Sequence, residues 1–554
     1  MRKSAYEVGD NLRVAFCHLR RSSRYRSGAI ALLLSVILGI TCTFPQADRQ
    51  VQAVAPPPRA EIFPALRCIR TIKAHIKRGR GLAFSPDGSM VATTGDEKVV
   101  LWDVATGAKI GERHRKDALY LDVAFLGTGG ELACITRGDL RVMETPSLRD
   151  KRTICMFDGT IASVCCSRDG KSLFTTNGIT AGGWDARSSK NIWSHKFTDS
   201  SSRPAIVAAS VSGNRVAVAC DHLEYCVSVR DGASGKELYR IPNPESRVPE
   251  TINKLTFTPD GRFIMASFHM HSSVRIWDST NGKLARNVVL KLNTVSELGE
   301  SADPSNLPYV TSYAMAVSPD GKSFAVVCSD NLLRVYEMVT GGLRGQQEGR
   351  AITIAFSPGG RSLATLGGSD GLLRFWDLRD TGKGAMRKIE PQERQRLWDD
   401  LGSEDARIGF SSILRLGNDP LPALDILRRL KRVPPVPPGR VVRLVERLDD
   451  DDFASRETAT RELEGLGIVA EAALRQEAAR PRSQESGVRA AKLLDALAIY
   501  RKERILHARA VEVLEAIGNA DAERILTQLA GGHAGIVETE DARAALVRLN
   551  ARSK

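Results

Sequence analysis

The chain has 554 residues, of which 42% are hydrophobic, 26% charged and 6% aromatic, with 10 cysteines. This apolar content excludes a mainly disordered chain, the few cysteines exclude a disulfide-built scaffold, and the scarcity of aromatics speaks against a base-stacking surface. The net charge of +14 divides into +5 in residues 1–27, zero in residues 391–554 (27 basic against 27 acidic) and +9 spread over the remainder, so no basic footprint exists and no nucleic-acid partner is expected.

Residues 1–27 form a basic segment with seven Lys/Arg against Glu7 and Asp10. Residues 28–44 follow as an uncharged apolar run, about 25 Å long as a helix and slightly short of a bilayer core of about 30 Å. Arg20, Arg21, Arg24 and Arg26 precede it, an arrangement that keeps the amino terminus cytoplasmic and exports the rest. The run therefore reads as one transmembrane helix or signal-anchor. A cleaved signal, with small residues at Val51-Gln52-Ala53, is the alternative, and it leaves a secreted or periplasmic chain. Residues 45–66 are a linker stiffened by Pro56, Pro57 and Pro58.

One unit then repeats. Phe84-Ser85-Pro86-Asp87-Gly88 returns as Phe257-Thr258-Pro259-Asp260-Gly261, Val317-Ser318-Pro319-Asp320-Gly321 and Phe356-Ser357-Pro358-Gly359-Gly360, with a worn copy at Cys166-Ser167-Arg168-Asp169-Gly170. After each copy come an apolar run, a polar turn and an alternating segment that closes on Trp102-Asp103, Trp184-Asp185, Trp277-Asp278 or Trp376-Asp377. Three further units end at Met143-Glu144, Arg230-Asp231 and Tyr336-Glu337. The spacing between these ends runs from 40 to 59 residues, a period of short strands that predicts an all-β seven-bladed propeller over residues 67–383.

These residues resemble the WD40 family. The resemblance implies a structural tetrad of His, Ser/Thr, Asp and Trp, carried in the first unit by His75, Thr94, Asp96 and Trp102, with Asp370 and Asp330 at the Asp96 position of two later units. His271 and Gly178 stand there in two others. The family register also implies that 68–73 supplies the missing outer strand of the last blade. The longest spacing contains a polar insertion at 293–308, where a recognition loop is expected as readily as a plain surface insertion.

Composition changes after Lys383 to Ala, Leu, Arg and Glu, predicting an all-α domain over 384–554. Residues 461–467 and 511–518 align, with Gly467 and Gly518 each where a helix would end. This pairing resembles HEAT-type helices. The whole arrangement of anchor, ring and helical tail resembles exported, membrane-anchored bacterial WD40 proteins.

Several motifs offer chemistry and are outweighed. Gly367-Gly368-Ser369-Asp370-Gly371 matches a nucleophile elbow, but a strand follows where that motif needs a helix. Gly170-Lys171-Ser172 and Gly321-Lys322-Ser323 lack the earlier glycine of a phosphate loop. His269 with His271, and Cys220, His222 and Cys226, show no four-ligand spacing, and a Cys220–Cys226 disulfide is a further reading of the second set. Asp449 to Asp452 reads as the acidic start of a helix. No cofactor, metal or catalytic residue is assigned. The expected function is a non-enzymatic scaffold for protein partners, attached to the membrane by its amino-terminal helix. A propeller that binds or hydrolyses a small ligand at its central channel is the alternative.

Overall fold

The computed structural model describes residues 66–552, apart from 76–78, 117, 137, 157–162, 178–179, 198–205, 220–224, 243–250, 269–271, 291–310 and 380–387. The expected anchor at 28–44, most of the linker, the insertion at 293–308, and Gly178, Cys220, His222, His269 and His271 lie outside the described residues. Among the described residues no helix is long and apolar enough to cross a membrane.

Among the described residues, twenty-eight strands form seven four-stranded antiparallel sheets. Blade one consists of Gly79–Phe84, Met90–Gly95, Lys98–Asp103 and Lys109–His114. Blades two to six occupy 122–156, 163–196, 207–242, 252–289 and 312–348. Blade seven combines Thr353–Phe356, Ser362–Leu366 and Leu372–Asp377 with Arg67–Lys73, which pairs antiparallel so that Cys68 faces Trp376 and Lys73 faces Leu372. The strand before the first blade thus closes the last, as the family register implied. The clasp covers an edge that would otherwise be an open template for pairing.

Local sequence explains each blade. In Ser85-Pro86-Asp87-Gly88 the Asp87 carboxylate accepts from the Ser85 hydroxyl (2.5 Å) and the Ser89 amide (3.0 Å), while Gly88 takes a φ of 76°. Thr258 with Asp260 and Ser167 with Asp169 repeat this knot at 2.5 and 2.6 Å. Ser323–Cys328, the second strand of blade six, is buried along its whole length, whereas the outer strand Arg67–Lys73 is mostly exposed. Apolar residues from neighbouring sheets fill the space between blades; Phe84 of blade one meets the Phe375 ring of blade seven edge-on at 6.4 Å.

A recurrent latch ties blade to blade. The residue opposite the position just before the end pair, Trp-Asp or its replacement, is Arg70, Arg152, Trp193, Tyr239 and Arg286 in blades seven, two, three, four and five. Four of these donate to the carbonyl just after the acidic residue in the next blade's turn. Arg70 Nη1 reaches Val104 O at 2.7 Å, Arg152 Nη2 reaches Ala186 O at 2.7 Å, Trp193 Nε1 reaches Gly232 O at 2.9 Å, and Tyr239 Oη reaches Ser279 O. Gly235 and Gly282 leave room for the Trp193 and Tyr239 rings, which lie 2.5 and 2.9 Å from where a Cβ would stand. In blade one the corresponding residue is Gly111 (opposite Leu101), and the next turn supplies the bulk through the buried Leu148.

The helical domain contains α1 (Pro391–Leu401), α2 (Ala406–Gly417), α3 (Pro420–Leu427), α4 (Arg440–Glu446), α5 (Phe453–Leu466), α6 (Glu471–Ala479), α7 (Gln484–Leu497), α8 (Arg501–Ile517), α9 (Ala520–Ala530) and α10 (Val537–Arg552). Side-chain caps set several starts: Asp405 for α2, Asp452 for α5, Ser483 for α7 and Asn519 for α9. Gly467 and Gly518, with φ of 55° and 59°, end α5 and α8, the positions at which the two aligned segments place a helix end. Asp452 accepts from the Ser455 amide at 3.0 Å, so the acidic run at 449–452 serves as a helix start. One apolar cluster joins α1–α3 to α8–α10 through Leu401, Ile413, Leu427, Val513 and Leu526, and a second joins α4–α7 through Leu444, Leu463, Leu474 and Leu493.

Candidate interaction site at the ring–helix junction

The expected tetrad needs one correction. In blade one the hydroxyl between histidine and tryptophan belongs to Thr93: its Oγ1 lies 3.1 Å from His75 Nε2 and accepts from Trp102 Nε1 at 2.9 Å. Thr94, the expected residue, instead accepts from the Gly81 amide at 2.8 Å. Successive strand residues point to opposite faces, so a shift of one position moves the hydroxyl to the other side of the sheet. Asp96 stands in the following turn with a φ of 49°. Burial holds the His75 imidazole below the ordinary histidine value, although the Asp96 charge pulls the other way.

The same donor–acceptor pair recurs at Trp184–Thr175 and Trp376–Thr365, each 2.9 Å. Blade five puts Ala266 at the equivalent place, and Trp277 packs edge-on against Phe268 at 6.3 Å. Asp330 and Asp370 each pair with an arginine four residues on, Arg334 and Arg374. The acids of the Trp-Asp ends cap the turn beyond. Asp103 accepts from the Thr106 amide (2.7 Å), Asp185 from the Ser188 amide (2.6 Å), Asp278 from the Thr280 amide (2.7 Å) and Asp377 from the Arg379 amide (2.8 Å). These residues hold the ring's shape.

Blade six departs from this plan. Its end is Tyr336-Glu337, and the longer acid reaches beyond its own turn into the helical domain. Glu337 accepts from Thr340 Oγ1 (2.6 Å), from Arg509 Nε and Nη2 (both 2.8 Å) and from Arg344 Nη2 (2.9 Å). Arg344 also holds Glu512 through two bonds of 2.9 and 2.7 Å. Arg509 and Glu512 are one turn apart on α8, so this helix presents an acid and a base to their opposites on the blade. Arg509 Nη1 further donates to the carbonyls of Leu401 (2.9 Å) and Ser403 (2.7 Å) at the end of α1, satisfying groups that a helix terminus leaves open. Burial would raise the Glu337 carboxyl, but the charge of Arg344 and the bonds from Arg509 outweigh it and bring it down to about 2.

Packing reinforces the weld. The Arg344 guanidinium lies 4.9 Å from the centre of the Phe410 ring on α2. A Cβ on Gly409 would stand 2.1 Å from Arg509 Cζ, so glycine is what admits the guanidinium beside α2. A second contact lies at the blade-six turn, where Lys322 sits 3.6 Å from Glu515 and Arg548 of α10 grips the same carboxylate at 2.7 and 2.8 Å.

Between blades five and six and the helices lies a cavity of about 1280 Å³. Many of its charged walls are already engaged: Glu471 with Arg475 and Arg504, Asp405 with Arg407, Glu337 and Glu512 with the buried arginines. Sequence reasoning missed this junction. The signal available was the replacement of Trp-Asp by Tyr336-Glu337 together with Arg509, Glu512 and Glu515 in the apolar second half of α8.

The other candidates resolve as turns. Residues 367–371 connect Ser362–Leu366 to Leu372–Asp377, strand to strand. Gly170-Lys171-Ser172 and Gly321-Lys322-Ser323 are the second halves of two Asp-Gly turns. Cys226 is buried in blade four. Among the described residues no cluster of three or more metal-ligating side chains forms. On the inner strands, burial pushes the Asp122 carboxyl up, against the pull of Lys254 from blade five.

Residues 66–103, 240–278 and 340–377 match the WD domain, G-beta repeat (WD40) family. Together with the seven-bladed ring, these matches fit a WD40-repeat propeller family. A stretch of 65 residues is 38% identical to Protein Mut11 of Chlamydomonas reinhardtii, covering 12% of this chain and 16% of that protein.

Proposed function

We propose that this WD40-type propeller and its helical domain act as a non-enzymatic scaffold for protein partners, attached to a membrane through residues 28–44 and displayed outside the cytoplasm. Propellers of this type generally serve protein interaction, and that generality is fold-level analogy. The observation that carries the reading is the weld of Glu337 and Arg344 to Arg509 and Glu512. It ties blade six to α8 through buried charges, so that ring and helices present one composite surface. A surface formed before binding lowers the ordering cost of association. The arginines ahead of residue 28 support the orientation.

The test is cross-linking of the full chain in intact cells, followed by purification from the membrane fraction and mapping of the cross-linked residues. Reproducible links from the ring or helical surface to other proteins support the scaffold; recovery of self-links alone overturns it. Protease added to cells with a permeabilised outer layer digests the ring if it is exported and spares it if it is cytoplasmic.

A further inference from the structure

We propose that the cavity between blades five and six and the helical domain is an oxyanion-binding site, with Arg286 as its main donor and Arg501 as its second. The site goes beyond the scaffold reading and does not depend on it.

The argument begins with the latch. Arg286 occupies the same register position as Arg70, Arg152, Trp193 and Tyr239, opposite Ile276 just before Trp277. Its stem lies across the next blade's turn as theirs do, with Cδ 3.1 Å from where a Gly341 Cβ would stand. The other four spend their donors on the carbonyl of the next turn. Arg286 makes no such bond and no ion pair with the described residues, and it lines the cavity.

The electrostatics point the same way. Burial and the neighbouring Arg501 guanidinium both hold Arg286 below the ordinary arginine value, with only Glu337 pulling in the opposite sense. Glu337 is itself committed to Arg509 and Arg344. Arg501 has Glu404 at 3.5 Å, a loose pair whose two side chains are 66% and 71% exposed, so it can swing toward a ligand at little cost. Two guanidiniums that repel each other in a half-buried cavity gain most from an anion between them, and the planar fork of arginine favours a carboxylate or phosphate over a halide. Glu538, Asp541, Asp260, Asp320 and Glu404 also line the cavity and oppose such a ligand; burial raises the Glu538 and Asp541 carboxyls, which weakens their share of that opposition.

The same chemistry has two sources: a free small anion, or an acidic side chain of a bound polypeptide. Calorimetric titration of the purified full chain at low ionic strength separates them, with inorganic phosphate in one arm and an N-acetylated tetraglutamate peptide in the other. Saturable binding of either is expected. Arg286→Gln should weaken it by roughly tenfold or more, as expected when a charged donor is lost. Arg501→Gln should weaken it less, and Lys236→Gln, on blade four, should leave it unchanged. An unaltered melting temperature for Arg286→Gln shows that the fold is intact. Phosphate binding assigns a free anion, and binding of the peptide alone assigns an acidic segment. No binding in either arm, or binding that Arg286→Gln leaves intact, overturns the proposal.

Discussion

Arg509 on α8 and Glu337 at the end of blade six form a bidentate pair, Nε to Oε1 and Nη2 to Oε2 both at 2.8 Å, with neither side chain exposed to solvent. The two residues are 172 positions apart, one at the end of a blade and the other inside a helix. A glutamate stands where four blades carry the aspartate of a Trp-Asp turn, and a buried arginine stands on a helix beside Ala508, Ala510 and Val511. A pair of buried charges is weak evidence for stability, since its desolvation offsets most of its attraction; it is good evidence that the two surfaces meet in one register.

Breaking the pair on one side should be costly. Arg509→Met leaves the Leu401 and Ser403 carbonyls without their donor and Glu337 with Arg344 and Thr340 alone. A loss of about 3–5 kcal/mol is expected, read as a lowered denaturant midpoint. A variant that melts like the parent would show that the weld contributes nothing.

Acid should loosen the same junction. The Glu337 carboxyl falls from 4.5 to about 2 on folding, so its contribution is fully present above the unfolded value and is lost as pH drops through the folded one. The melting-temperature gap between the parent and Glu337→Gln should therefore hold at neutral pH and narrow between about 4.5 and about 2. A gap that stays constant across that window would contradict the charge-based account.

Two glycines on α2 should respond in opposite directions to one substitution. Gly409→Ala drives a methyl to about 2.1 Å from the Arg509 guanidinium, whereas Gly417→Ala meets only the Ala516 methyl at 3.6 Å. The first should destabilise by about 1–3 kcal/mol through overpacking. The second should stabilise by up to about 1 kcal/mol through helix propensity. Equal effects in chemical denaturation would refute the close approach.

How much was legible in the sequence follows from the range of each interaction. The Ser85-Pro86-Asp87-Gly88 knot and the Trp102-Asp103 cap are closed by residues within a few positions of one another, so their repetition exposed the seven blades; the clasp at 68–73 followed from the register of the family they resemble. The choice of Thr93 over Thr94 was not legible, because a one-residue register turns on the pleat of a strand and both candidates are threonine. The weld was hidden for a different reason: Glu337 looked like an eroded Trp-Asp end, and its meaning depends on a helix more than 160 residues away. Arg286 was likewise invisible, since only the cross-strand register identifies it with Arg70 and Tyr239.

That register correction is itself testable at the indole. Thr93→Val removes the acceptor for Trp102 Nε1 and the neighbour of His75 Nε2, leaving a buried N–H without a partner at a cost of about 1–3 kcal/mol. Thr94→Val removes the acceptor for the Gly81 amide and so carries a comparable penalty, which makes overall stability a poor discriminator. Hydrogen exchange at the Trp102 indole separates them. In the parent and in Thr94→Val the indole proton should stay protected; in Thr93→Val it should exchange faster, while Trp184 and Trp376, bound to Thr175 and Thr365, should not change. If Thr94→Val is the variant that loses protection, the hydroxyl assignment in blade one reverts to the one the family resemblance implied.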